Sequence, residues 1–251
     1  MKNIESNASK VALVTGSSRG IGAAVAKRLA ADGFAVVINY AGHAPDANAV
    51  VQEIQASGGR ATAIQADVSS AAEVAAMFDQ IETVFGGVDV LINNAGIMQP
   101  GLVMLADTDD ALFDRMLAIN VKGTFNTLRL AAKRLRQGGR IVNFSSSIVN
   151  RAVPGYSVYA GTKSAVETIT NIFAKELRGR NISVNAVSPG PTATDLFLKG
   201  KTEDQIAQLS KMPPLERLGQ PEDVAATVSF LVGPDGGWVN GQTIRMNGGI
   251  I

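Results

Sequence analysis

Short apolar runs alternate with stretches whose apolar residues recur every three or four positions. Residues 11–14 are continuously apolar and end on Thr15-Gly16, as a strand buried on both faces reads. The same reading predicts strands over 34–38, 61–66, 88–92, 140–144, 182–187 and 242–246. Helical spacing fills the intervals: 21–31, 47–56, 71–85, a long stretch over 110–135 with a break near Ile119, 158–177, 202–209 and 222–231. Glycine pairs after Ala56 and Phe85 supply stops. Strands alternating with helices predict an α/β, doubly wound, mostly parallel sheet with helices on both faces, a Rossmann fold. No repeat, low-complexity tract or polar linker divides the chain, so residues 1–251 read as one domain. Residues 191–214 fall out of rhythm and are expected to form a mobile lid.

Composition narrows the chemistry. The 251 residues carry 23 Lys+Arg against 22 Asp+Glu, a formal charge of +1, so neither nucleic acid nor an anionic membrane is an expected partner. With no cysteine, disulfides, thiolate metal sites and cysteine nucleophiles are excluded. One histidine, His43, excludes two-histidine metal motifs, and a Ser-His-Asp hydrolase would have to use it. No metal is expected. The first nine residues are polar and no apolar run approaches the roughly 18 residues of a membrane span, so a cytoplasmic protein is expected.

The strand ends hold the chemistry. The first strand enters Gly16-Ser17-Ser18-Arg19-Gly20-Ile21-Gly22, and glycines between a strand and a helix let backbone approach a pyrophosphate at a helix N-terminus. The spacing is G-x-x-x-G-x-G rather than G-x-G-x-x-G. A glycine turn alone is equally consistent with a tight connection. At the end of the second strand an NAD site usually carries a carboxylate for the ribose; here stand Asn39 and Tyr40. With Arg19 in the turn to meet a 2′-phosphate, NADP(H) is preferred, NAD(H) remaining a possible substitute. His43 is read as a solvated loop residue. Asp67-Val68 and Asn94-Ala95-Gly96 follow the third and fourth strands and are expected to line the same ligand.

Tyr159 and Lys163 are four residues apart, on one face of a predicted helix. An ammonium beside a phenol is expected to lower the phenol pKa from about 10. Ser146, at the end of the fifth strand, is placed to hold a substrate oxygen; Ser145 and Ser147 flank it. Taken singly, a Y-x-x-x-K pair is more often an ordinary exposed helix face.

Together, Thr15 to Gly22, Asn93-Asn94-Ala95-Gly96, Asn120, Ser146, Tyr159-Ala160-Gly161-Thr162-Lys163 and Pro189-Gly190 resemble the short-chain dehydrogenases/reductases (SDR) over nearly the whole chain. The look is closest to the hydroxynaphthalene reductase and 3-oxoacyl carrier-protein reductase branch. The resemblance implies Tyr159 as general acid in carbonyl reduction and Lys163 lowering its pKa and bonding the nicotinamide ribose. It implies Ser146 orienting the carbonyl and Asn120 holding a proton-relay water. It further implies Gly16, Ser18, Arg19, Ile21 and Gly22 at phosphates and adenosine, Asp67 and Val68 at adenine, Asn94 at a ribose, and Thr192 and Thr194 at the carboxamide or pyrophosphate. Pro189 and Gly190 belong to the same cofactor set. A homo-oligomer, with a tetramer favoured, is implied as well.

The expected substrate is a small carbonyl compound with an apolar or aromatic body, because Ile97, Met98, Gln99, Ile148, Val149, Val153, Pro154 and Tyr156 adjoin the catalytic group, with Leu196, Phe197 and Met212 on the lid. Alternatives are a 3-oxoacyl-thioester reductase, a non-catalytic NADP-sensing regulator, and the His43 hydrolase.

Overall fold

In the computed structural model, which describes residues 9–251, seven parallel strands lie in the order β3-β2-β1-β4-β5-β6-β7. They are β1 (Val11–Val14), β2 (Ala35–Tyr40), β3 (Arg60–Gln65), β4 (Val88–Asn93), β5 (Leu135–Phe144), β6 (Ser183–Pro189) and β7 (Thr243–Met246). Ten α-helices connect them among the described residues: α1 (Gly20–Ala31), α2 (Ala44–Ala56), α3 (Ala71–Phe85), α4 (Asp110–Met116), α5 (Gly123–Arg134), α6 (Ile148–Arg151), α7 (Ser157–Glu176), α8 (Asp195–Leu198), α9 (Glu203–Ser210) and α10 (Pro221–Val232). The polar N-terminal segment in which no targeting signal was found lies, but for Ser9, outside the described residues. Among the described residues no helix is long and apolar enough to cross a membrane.

Both faces of the sheet are covered, which is why β1 and the body of β2 read as unbroken apolar runs. Leu13, Val37 and Leu91 meet Val74, Phe78 and Ile81 of α3, Leu128 of α5 and Phe173 of α7 on one side. Val14, Val36 and Ile92 meet Val25 and Leu29 of α1, Val50 and Ile54 of α2 and Val228 and Leu231 of α10 on the other. The chain winds outward from β1 to β3, then returns to place β4 beside β1. That reversal opens a crevice at the carboxyl ends of β1 and β4, where ligands of doubly wound sheets bind.

Local signals set the boundaries. The Ser70 hydroxyl caps α3 by accepting from Glu73 N, and Gly86 ends it at φ 74°. The Thr202–Gln205 capping box starts α9, and residues 191–214 hold the two short helices α8 and α9. The predicted helix over 110–135 is broken as expected: α4 passes into a π-helical turn, Leu117–Lys122, before α5 resumes. β5 starts earlier than its apolar run. Leu135 pairs with Val88 and Arg140 with Val90, and the extra residues around Gly138-Gly139 bulge out.

Candidate active site

The glycine turn is set by contacts that exclude side chains. A Cβ on Gly16 would lie 2.8 Å from Ala95 Cα, and one on Gly22 would lie 2.5 Å from Asn94 Nδ2 and 2.6 Å from Gly16 O. Thr15 and Asn94 bind the turn to the end of β4: the Thr15 hydroxyl accepts from Asn94 N and Ala95 N, and Asn94 Nδ2 donates to Thr15 O and Gly16 O, both at 2.9 Å. Behind the turn, Asn39 is buried; its Oδ1 accepts from Gly16 N and its Nδ2 donates to Ala66 O. Helix α1 then begins at Gly20 with no side chain capping it, whereas Ser70, Asp109 and Thr202 cap α3, α4 and α9. A glycine-walled turn aimed along uncapped helix N–H groups fits a pyrophosphate. Ser18 and Ile21 are half-buried on the turn, and Arg19 is exposed on it. Thr194 comes from the base of the lid to the same place, its Cγ2 3.7 Å from where a Gly20 Cβ would be.

Several residues expected to face the ligand also brace the fold around it. The side-chain amides of Asn39 and Asn94 bond within the fold as described. Val68 is buried in the core against Gly123 of α5, and its carbonyl accepts from Asn126 Nδ2. The Asp67 carboxylate accepts from Ser69 N and Oγ. Thr192 is buried, with its hydroxyl on Gly190 O. Pro189 O accepts from Ser147 N, and Gly190 N donates to Met246 O. Tyr40 remains half-buried at the end of β2, and no carboxylate stands beside it on that strand.

The three residues expected to be catalytic meet at the end of β5. Ser145 and Ser147 are buried and bonded: Ser145 Oγ donates to Glu167 Oε1 (2.6 Å) and Ser147 Oγ to Ser188 O (2.9 Å). Ser146 alone turns its hydroxyl toward the Tyr159 phenol, which it helps to keep acidic. Lys163 is 5% exposed; its Nζ donates to Phe144 O at 2.9 Å and lies 5.8 Å from the Tyr159 ring centre. Asn120, in the π-helical turn, accepts from Ile97 N and donates to Ile97 O and Thr162 Oγ1. Its Oδ1 and the Lys163 Nζ converge over Gly96, 3.2 and 3.3 Å from where a Cβ would be. The side chain expected to hold a relay water thus pins the loop after β4 to the catalytic helix.

The expected depression of the Tyr159 pKa by Lys163 is not what the geometry produces. Burial pushes the phenol up to about 12, the Ser146 hydrogen bond opposing it and Tyr156 adding to it. Burial also pushes Lys163 down to about 8. Desolvation outweighs mutual attraction, because the ammonium is turned toward Phe144 O rather than the phenol oxygen.

Around the trio, Tyr156 stacks obliquely on Tyr159 with centroids 6.4 Å apart. Arg151 of α6 donates to Met212 Sδ at 3.7 Å, which brings the lid against the serine loop. Gln99 is buried, and its Nε2 donates to Gly155 O at 2.7 Å. Sequence reasoning missed the exposed Leu102, Met104 and Leu105. It also missed a buried polar chain in which Thr127 donates to Asn93, Asn93 to Asn143, and Asn143 to Thr170, at 2.7–2.8 Å. The signal was there: asparagines at the ends of apolar strand runs must find buried partners. His43 is exposed and pairs with Asp46 at 3.0 Å. It follows β2, three strands from β5 and so roughly 14 Å away across the sheet, which leaves the hydrolase reading without a base for Ser146.

A family model described as enoyl-(acyl carrier protein) reductase matches residues 16–251. An NADPH-dependent aldehyde reductase-like chloroplastic protein of Arabidopsis thaliana is 44% identical over 97% of this chain and 95% of its own. A short-chain type dehydrogenase/reductase of Picea abies is 44% identical over 96% of this chain and 92% of its own. The crystal structure of a Burkholderia cenocepacia short-chain dehydrogenase in complex with NADP superposes with a TM-score of 0.89 at 43% identity, covering 96% of this chain and 97% of that one. The chain belongs to the short-chain dehydrogenase/reductase family of oxidoreductases.

Proposed function

We propose that this protein is an NADPH-dependent reductase of a small, mainly apolar or aromatic aldehyde or ketone. The observation that carries the reading is the meeting of Ser146, Tyr159 and Lys163 at the carboxyl end of β5, at the same carboxyl-end edge of the parallel sheet as the glycine turn after β1. Arg19 on that turn, with no carboxylate at the end of β2, suits a 2′-phosphate and favours NADP(H) over NAD(H). The NADP complex of the Burkholderia protein and the name of the Arabidopsis relative support the same choice.

When bound, the reduced nicotinamide supplies the hydride that reaches the carbonyl carbon. Ser146 holds the carbonyl oxygen, being the one serine of its loop whose hydroxyl faces the phenol; within the fold it only accepts from Ile148 N at 3.4 Å, while Ser145 and Ser147 donate to other groups. Tyr159 gives that oxygen its proton. A phenol pushed up to about 12 is fully protonated at neutral pH, the form that reduction needs. Lys163, held on Phe144 O, stands ready to stabilise the phenolate left behind. The exposed Leu102, Met104 and Leu105, with Leu196 and Met212 on the lid, offer an apolar mouth. The lid over residues 191–214 closes this mouth within a single catalytic domain, in a cytoplasmic homo-oligomer, a tetramer being favoured.

A second reading is reduction of a 3-oxoacyl thioester; the family model's description names an acyl-carrier substrate, though an enoyl rather than a 3-oxo one. A panel of aromatic and cyclic ketones, aldehydes and an acetoacetyl thioester, followed at the NADPH absorbance and repeated with NADH, separates the readings. Turnover of simple carbonyls with NADPH is expected. Turnover of the thioester alone moves the enzyme to that class. Tight NADPH binding without any turnover makes it a nucleotide sensor.

A further inference from the structure

The catalytic face of α7 continues beyond Lys163. Tyr159, Lys163 and Glu167 follow one another at four-residue intervals and so form one stripe along the helix. Each meets the end of β5: Tyr159 faces the Ser146 hydroxyl, Lys163 Nζ donates to Phe144 O, and Glu167 Oε1 accepts from Ser145 Oγ. The last bond, at 2.6 Å, has the length of a hydroxyl bound to an ionised carboxylate. Ser145 is 4% exposed, and its amide donates to Val187 O of β6. Phe144 and Ser145 are therefore pinned by two residues of α7, and the peptide they pin carries Ser146.

We propose that Glu167 is a positioning residue for the catalytic serine, acting through Ser145. Glu167 is half-buried and stands two helical turns along α7 from Tyr159, its carboxylate engaged by Ser145. Its carboxylate fixes the Ser145 side chain, which fixes the turn that aims Ser146 at the phenol. A serine free to rotate away would leave the carbonyl oxygen unheld and would remove the one hydrogen bond that opposes burial at Tyr159. The proposal rests on the reductase reading for its kinetic consequence, though not for its structural one.

The test compares Glu167→Ala, Glu167→Gln, Ser145→Ala and the Glu167→Ala/Ser145→Ala double variant. Glu167→Ala should lower kcat for carbonyl reduction roughly ten- to hundredfold, the range a small misplacement produces. The carbonyl KM and NADPH affinity should stay within about twofold, as expected of a pair that acts only through Ser146. Glu167→Gln keeps an acceptor oxygen and should recover most of the rate. Ser145→Ala should match Glu167→Ala, and the double variant should be no worse than either, because both remove one coupling. Crystals of Glu167→Ala should show Ser146 Oγ turned from Tyr159, a readout independent of turnover. A wild-type protein inert to every carbonyl would defeat the reductase reading while leaving that crystallographic result intact. Wild-type kcat in Glu167→Ala or Ser145→Ala, additive losses, a Gln variant as impaired as Ala, or an unmoved Ser146 would each overturn the proposal. Should Glu167→Ala fail to fold, Ser145→Ala and Glu167→Gln decide it alone.

Discussion

Replacing Lys163 by Met tests the electrostatics of the site through stability. The ammonium is buried, and burial takes its pKa from 10.5 to about 8. That fall corresponds to about 3 kcal/mol of unfavourable free energy in the folded state wherever both states hold the proton. Below pH 8 the native and unfolded lysines are both charged, so the penalty is complete. Between pH 8 and 10.5 the unfolded chain binds more protons, and stability climbs with pH. Above 10.5 the penalty is gone. Met has similar volume and no titration. Urea unfolding of the two proteins across this range should show the wild type gaining about 3 kcal/mol on the variant between pH 7 and 10.5. The bond to Phe144 O that Met cannot make, worth about 1–3 kcal/mol, displaces the variant's curve by a constant and leaves the slope alone. Parallel stability curves would refute the claim that Lys163 is held against its desolvation. The same substitution should abolish carbonyl reduction, an instance of stability given up for activity.

Tyr159→Phe should cut carbonyl reduction by about three orders of magnitude while NADPH affinity, read by titration calorimetry, stays within about threefold; a near-normal rate would remove the phenol as proton donor. Arg19→Ala should weaken NADPH about tenfold more than NADH, and equal losses would show that the guanidinium does not read the 2′-phosphate. Gly22→Ala would force a Cβ to within 2.6 Å of Gly16 O, a backbone atom that has nowhere to yield. It should abolish measurable NADPH binding; unchanged affinity would mean that the turn does not cradle the nucleotide.

The sheet was legible because β1, β2 and β4 are buried and largely apolar, so apolar runs and strands coincide, while β6 is buried but carries Ser183, Asn185 and Ser188 among its apolar residues. The start of β5 was hidden, since its bulge is made of Arg136, Gln137 and two glycines. α6 and α8 were missed because four residues hold too little periodicity to read. In the site, Tyr159, Lys163 and Ser146 could be proposed from spacing, although Ser146 could not be separated from its neighbours until their hydroxyls were seen to bond elsewhere. The inward roles of Asn39, Asn94 and Asn120 were invisible in one dimension. A polar residue beside a glycine turn serves equally well as ligand contact or as brace, and only the third dimension distinguishes them. The direction of the Tyr159 shift failed for a related reason: helical spacing brings an amine near a phenol but does not say which oxygen the amine chooses.

The π-helical turn at Leu117–Lys122 constrains how this protein can change. Such a turn holds the equivalent of one surplus residue in an otherwise regular helix. Rewinding the same residues as a regular α-helix, with none removed, would restore ordinary i to i−4 bonding, but it would rotate everything beyond by about 100°. Asn120 would leave Ile97, and Thr127 would leave Asn93. The irregularity is therefore a register mark. Lineages descending from this sequence can vary its exposed side chains while keeping Asn120, yet they cannot regularise its pitch without uncoupling the loop after β4 from the helix that carries Tyr159.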